Sequence, residues 1–180
     1  MITKDGSKMS KSKGNTVAPD EFVDLYGSDT FRCYLMFMGP YDEGGDWNDK
    51  GIKGINRFLL KVFNMKSKDF NENVNNEDMY IYHSTIKKVS EDLTKMKFNT
   101  ALSKLMEFIN HFQNNNLSKN MYLDFLKLLG PFAPHLSEEI WELCGKNDSI
   151  FLSGWPEYDH KMIIKTSMTI AVQINGKLRG

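Results

Sequence analysis

Three lysines, two serines and a glycine share the eight-residue stretch Lys8-Met9-Ser10-Lys11-Ser12-Lys13-Gly14-Asn15. A lysine ammonium is a compact point charge with three donors on a flexible stem. Serine adds short hydroxyl donors, and Gly14 lets the backbone turn sharply or come close to a ligand. Met9 is the one apolar residue, so the stretch cannot bury a face. It reads as an exposed cationic loop suited to an anion, a polyphosphate above all. A solvated basic turn has the same composition. The loop is not a Walker-type phosphate loop: Gly145-Lys146 and Gly176-Lys177 are followed by neither Ser nor Thr.

A second cationic set is Lys50, Lys53, Arg57 and Lys61. On a helix from about Asp49 to Asn64, the apolar residues Ile52, Ile55, Leu59, Val62 and Phe63 would share one face and these cations the other. Such a stripe either contacts phosphates or is a solvated outer face. The cysteines, Cys33 and Cys144, are too few for a disulfide framework and lack metal-ligand spacing, which predicts buried, reduced thiols and no structural metal.

The elements that must hold these groups are mostly helical. Pro19, Asp20 and Glu21 open a short helix that stops at Gly27. Ser28 is placed to cap a helix through about Met38, and Gly39-Pro40 ends it. Residues 39–48 read as a loop, and 64–78 as a polar, Asn-rich, mobile connection. A helix follows from about Asp78 to Met96, with a seam of Tyr82, Ile86, Val89, Leu93 and Met96. Phe98-Asn99-Thr100 reads as a break with a capping residue. Further helices carry Ala101 to Phe112, then residues 118–129, then Pro134 to about Leu143, with strong stops at Asn114–Asn116 and Gly130-Pro131. The last section differs: an irregular arm around Ile150 and Trp155, a β-type stretch Thr169 to Ile174, and an Asn175-Gly176 hairpin turn. The expected fold is mainly α: a bundle of about five long helices, preceded by the lysine loop and followed by a short β segment.

The 180 residues are 41% hydrophobic, enough for a real core, and carry a formal net charge of zero. A wholly basic nucleic-acid coat is thereby excluded, so RNA contact must come from local patches. No apolar run reaches the roughly 18 residues that a membrane helix needs, and the chain reads as cytoplasmic with no membrane partner.

The run K-M-S-K-S followed by K-G-N resembles the signature loop of the class I aminoacyl-tRNA synthetases. Asp46-Trp47-Asn48-Asp49, Arg57-Phe58-Leu59 and the run Pro131-Phe132-Ala133-Pro134-His135-Leu136-Ser137-Glu138-Glu139-Ile140-Trp141-Glu142 are similar to the anticodon-binding-type helical bundle of class Ia. Trp155-Pro156-Glu157-Tyr158-Asp159 and Val172-Gln173-Ile174-Asn175-Gly176-Lys177-Leu178-Arg179-Gly180 resemble the leucine-specific, bacterial-type branch. The valine, isoleucine and methionine enzymes share the loop. A non-catalytic RNA-binding helical module shares the bundle pattern.

The resemblance implies an ATP site at Lys8, Met9, Ser10, Lys11 and Ser12, with Lys11 as the main catalytic cation and Lys8 assisting. It implies ATP as substrate with Mg2+, leucine and tRNA(Leu) as further partners, and a monomer. It assigns 1–27 to the loop and connecting helix, 28–148 to the bundle and 149–180 to a linker and the start of a C-terminal domain. None of His83, His111, His135 and His160 lies in the His-x-Gly-His motif that the family uses to hold ATP. The expectation is therefore a piece of a longer ligase that is inactive alone, with its chemistry completed elsewhere.

Overall fold

The computed structural model describes residues 2–4, 6–164, 173–174 and 177–178. The chain opens on two short strands, β1 (Ile2–Lys4) and β2 (Ser7–Lys8), which form an antiparallel hairpin. Two helices follow, α1 (Pro19–Tyr26) and α2 (Ser28–Phe37). Gly27, at φ 83°, makes the joint between them, so Ser28 is the first helical residue and not the cap.

The stretch read as an open loop, 39–48, contains a strand, β3 (Gly45–Trp47), which pairs in parallel with β1. Local pattern gave no sign of it, because three residues carry too little periodicity to read. Its anchor is Trp47, buried against Phe22, Phe31 and Tyr34 with ring centroids 4.8, 5.8 and 5.0 Å away. The three-stranded sheet, in the order β2-β1-β3, is thereby pinned to α1 and α2.

The bundle is built from α3 (Ile52–Met65), α4 (Asn76–Thr94), α5 (Phe98–Phe112), α6 (Lys119–Leu129) and α7 (Pro134–Leu143). Helix α2 packs on α3, α5 and α7 and so belongs to the same core. Tyr122, Phe108, Phe112, Phe125 and Phe132 are its largest fully buried side chains. Phe108 and Phe125 stack at 4.8 Å with rings 17° apart.

Several boundaries differ from the sequence expectation, each for a local reason. Helix α4 starts at Asn76 because Asn75 and Asp78 form a reciprocal capping box. The break after α4 is Lys95–Lys97, where Met96 takes φ 54°, and Phe98-Asn99-Thr100 is the first turn of α5. Buried Asp92 fastens that corner: it accepts from Lys88 Nζ at 2.7 Å and from Thr100 Oγ1 at 2.6 Å. Met96 is exposed and Leu93 only half-buried, so the α4 seam closes on Ile86 and Val89.

The Asn-rich connection before α4 is tied down, not loose. Asn71 N donates to Leu117 O at 3.0 Å, and Asn116 Nδ2 donates to Asn73 O at 2.7 Å. The arm beyond α7 includes a short 3-10 turn, Ile150–Leu152, capped by Ser149. Strands β4 (Gln173–Ile174) and β5 (Lys177–Leu178) pair antiparallel, with Gln173 opposite Leu178. The Asn175-Gly176 turn and the stretch 169–172 lie outside the described residues.

Candidate functional site: the lysine loop and its supports

The lysine loop rises directly from β2 and closes on itself. Ser10 N donates to Asn15 Oδ1 at 2.9 Å, and Asn15 Nδ2 donates to Lys8 O at 3.2 Å. One amide side chain therefore ties the two feet of the loop together. Between the feet, Lys11–Lys13 form a single 3-10 turn that ends at Gly14, in the left-handed region at φ 65°. An L side chain rarely adopts that conformation, which is why glycine stands there. Ser10 Oγ and Ser12 Oγ lie 3.2 Å apart.

Lys8, Lys11, Ser12 and Lys13 are exposed, whereas Met9 is half-buried and packs against the core. None of the three loop lysines forms an ion pair among the described residues. A compact turn thus presents several ammonium groups whose charge no carboxylate neutralises. That arrangement can meet a polyphosphate.

The base of the loop is held by a carboxylate that the sequence reading did not single out. Asp46 Oδ1, on β3, accepts from Thr3 Oγ1 at 2.6 Å and from Gly6 N at 3.0 Å. These bonds favour the ionised form and hold the Asp46 carboxyl below its usual range. The signal in the sequence was the Asp-Trp pair itself: Trp47 buries, and Asp46 on the other side of the strand faces the β1–β2 turn.

Asp29, at the start of α2, does similar work at the far end. Its Oδ2 accepts from Leu136 N at 2.7 Å, and its Oδ1 lies 2.8 Å from His135 Nδ1. It therefore caps α7 from another helix, satisfying an N–H that α7 cannot satisfy itself. Arg32 Nη2 adds a bond to Pro131 O at 3.2 Å. Together they lock α2 onto the start of α7. His135 is exposed and sits at the helix N-terminus, as its place after Pro134 implied.

The cationic stripe is only partly a stripe. Lys50 lies in the turn before α3, because the helix begins at Ile52. Lys53 and Arg57 are exposed on α3. Lys61 is half-buried and leans across to α5, donating to Asn110 Oδ1 at 2.9 Å and Gln113 Oε1 at 3.1 Å. Cys33 is fully buried, and burial with the nearby Asp29 charge pushes its thiol up to about 12, so it is an inert packing group. Cys144 is only half-buried, more exposed than expected; both thiols are free.

A family model described as the anticodon-binding domain of tRNA ligase matches residues 79–180. The chain belongs to this family of anticodon-binding domains. A second model, tRNA synthetases class I (I, L, M and V), matches residues 1–48, the part that carries the lysine loop and β3. Among curated relatives, a leucine–tRNA ligase of Clostridium perfringens is 45% identical over 99% of this chain and 24% of its own length. Leucine–tRNA ligases of Clostridium tetani and Clostridium botulinum are 45% and 44% identical over 99% of this chain. The chain thus spans about a quarter of the length of the curated relatives it matches. A solved ternary complex of Agrobacterium radiobacter K84 agnB2 LeuRS with tRNA and LeuAMS aligns with a TM-score of 0.75 at 30% identity. It covers 100% of this chain, which corresponds to 26% of that one. The anticodon-binding match covers the bundle from Met79 in α4 onward, and the class I match covers the lysine loop, α1, α2 and β3.

Proposed function

We propose that this chain works within a leucine–tRNA ligase, where it supplies the loop that closes over ATP and the helical bundle that lies along tRNA(Leu). The carrying observation is the lysine loop. Its ammonium groups meet no carboxylate, its feet are tied by Asn15, and its strand base is clamped by Asp46. The names of the relatives and the LeuRS complex support leucine over the other class I amino acids.

In that reaction an amino-acid carboxylate attacks the α-phosphorus of ATP, a P–O bond breaks and pyrophosphate leaves. Negative charge grows on the leaving group, and Lys11 and Lys8 stabilise that growth. Met9 anchors the loop to the core, while Ser10 and Ser12 donate hydrogen bonds. Gly14 supplies the backbone freedom that an opening and closing loop requires. Magnesium, if carried in with ATP, would add to the charge neutralisation that Lys11 and Lys8 supply. The division at 1–27, 28–148 and 149–180 follows from the same reading. The protein works as a cytoplasmic monomer in this reading.

The test is a chimera in which these 180 residues replace the matching stretch of the Clostridium perfringens ligase. It should keep leucine-dependent ATP–pyrophosphate exchange. Lys11→Ala in the chimera should lower kcat by a factor of about 10²–10³, as loss of one such transition-state contact does. Lys8→Ala should cost less. A Lys11→Ala chimera with an unchanged kcat and only a raised KM for ATP would refute the assigned role.

A further inference from the structure

The ends of α3 and α5 border an open surface cavity of about 370 Å³, lined by Lys61, Asn64, Met65, Lys68, Gln113 and Asn114. Two of the lining residues are lysines held only by neutral groups. Lys87, Lys88, Lys104 and Lys127 each sit within ion-pair distance of an Asp or Glu. Lys61 and Lys68 do not; they are held by neutral groups. Lys61 Nζ donates to Asn110 Oδ1 and Gln113 Oε1, and Lys68 Nζ donates to Gln113 O at 3.2 Å.

Each ammonium has three donors. Lys61 therefore keeps one N–H and Lys68 keeps two. Two positioned positive charges thus share one concavity with no carboxylate bound to either. The amide side chains of Asn64 and Asn114 make no hydrogen bond among the described residues. Amides of this type pair with the donor and acceptor edges of nucleobases. Met65, nearly all of it buried in the core, adds a small apolar patch to the lining.

We propose that this cavity binds one nucleotide unit of the tRNA, with its phosphate between Lys61 and Lys68 and its base edge against the amides. The assignment rests on the tRNA reading given above and deepens it by naming the subsite. Arg57 and Lys53 lie on α3, about one and two helical turns before Lys61, and extend the same positive track. The Asn114-Asn115-Asn116 run thereby does more than end a helix, because Asn114 lines the site.

Met65 is a built-in reporter. The 180-residue chain, labelled with 13C at the methionine methyls, is titrated with a leucine tRNA transcript while nitrocellulose binding is measured in parallel. Inorganic phosphate and adenosine monophosphate are titrated separately. The expected result is a Met65 methyl shift that saturates with the same dissociation constant as filter binding. Lys68→Ala should abolish that shift and reduce the slope of log affinity against log salt by about 0.7–0.9. Asn114→Ala should shrink the shift and leave the slope unchanged, because it removes no charge; circular dichroism checks that both variants fold. If the tRNA binds and the Met65 signal stays still, the pocket assignment is overturned while the tRNA reading stands. If no tRNA binding occurs even at low salt, the tRNA reading falls first and the pocket with it. An equal Met65 response to inorganic phosphate and to tRNA overturns the nucleotide assignment in favour of a general anion site.

Discussion

Tyr122→Phe should destabilise the bundle well beyond what loss of one surface hydrogen bond would do. Tyr122 is fully buried, and its hydroxyl donates to Val62 O at 2.7 Å. Val62 is also fully buried and lies in the last turn of α3. The last carbonyls of a helix have no intrahelical donor. The N–H that would ordinarily reach Val62 O belongs to Lys66, and it turns to Phe63 O at 3.3 Å instead. The tyrosine hydroxyl is therefore what satisfies this buried acceptor. Removing it leaves the carbonyl desolvated and unpaired, at a cost of about 1–3 kcal/mol. For a chain of this size, each kcal/mol moves the melting temperature by roughly 2–4 °C, so a fall of about 4–8 °C is the central expectation. Tyr82→Phe is the control. Its hydroxyl donates to Asp124 Oδ2 at 2.5 Å, but both groups are only partly buried and Lys127 also holds Asp124. Water can replace that donor, so its cost should be about 0.5–1 kcal/mol. Thermal unfolding followed by far-UV circular dichroism compares the two. Equal losses, or a larger loss for Tyr82→Phe, would refute the helix-end argument. The same experiment bears on function, because Lys61, Asn64 and Met65 at that helix end line the proposed nucleotide cavity.

Two further outcomes follow from packing and charge. Burial lowers the His83 pKa, with the Asp159 charge opposing more weakly, and His83 Nδ1 accepts from Asp159 N at 3.2 Å. Histidine in an unfolded chain titrates near 6.5, so the contribution of neutral His83 is full above about pH 6.5 and lost as pH falls through its lower folded value. The Trp155 indole N–H, bonded to Ser90 Oγ at 2.8 Å in the same arm, should report this loosening by NMR. His83→Gln, which keeps an acceptor without titrating, should remove the step; an unchanged step would disprove it. Gly51→Ala should destabilise by about 1–3 kcal/mol through overpacking, since a Cβ there would come within 2.6 Å of Tyr34 Oη. That hydroxyl both donates to Asn48 O and accepts from Asn48 N, so it cannot swing away freely. A melting temperature equal to that of the unaltered chain would show that the turn before α3 can yield.

What the chain determines by itself is local. Pro134 and Leu143 bound α7 in the structure as in the sequence, because a proline at the first helical position leaves no orphan N–H to satisfy. Helix α6 likewise runs Lys119–Leu129, with the apolar spacing of Tyr122, Phe125, Leu126 and Leu129 turned inward. The lysine loop was legible from composition, since such a stretch has nothing to bury. Tertiary structure decided how these pieces meet. β3 exists because Trp47 finds an aromatic pocket on α1 and α2, and three residues alone would not hold a strand. Asp46, Asp29 and Tyr122 take their roles from partners 40, 107 and 60 residues away in the chain. The helical phase of Lys61 leaves open a phosphate contact or a solvated face; in the structure it leans onto α5, where Asn110 and Gln113 accept its hydrogen bonds. Helical periodicity specifies which way a side chain leaves its own axis. Whether it meets water, a carboxylate or a neighbouring helix depends on the packing of elements far apart in sequence.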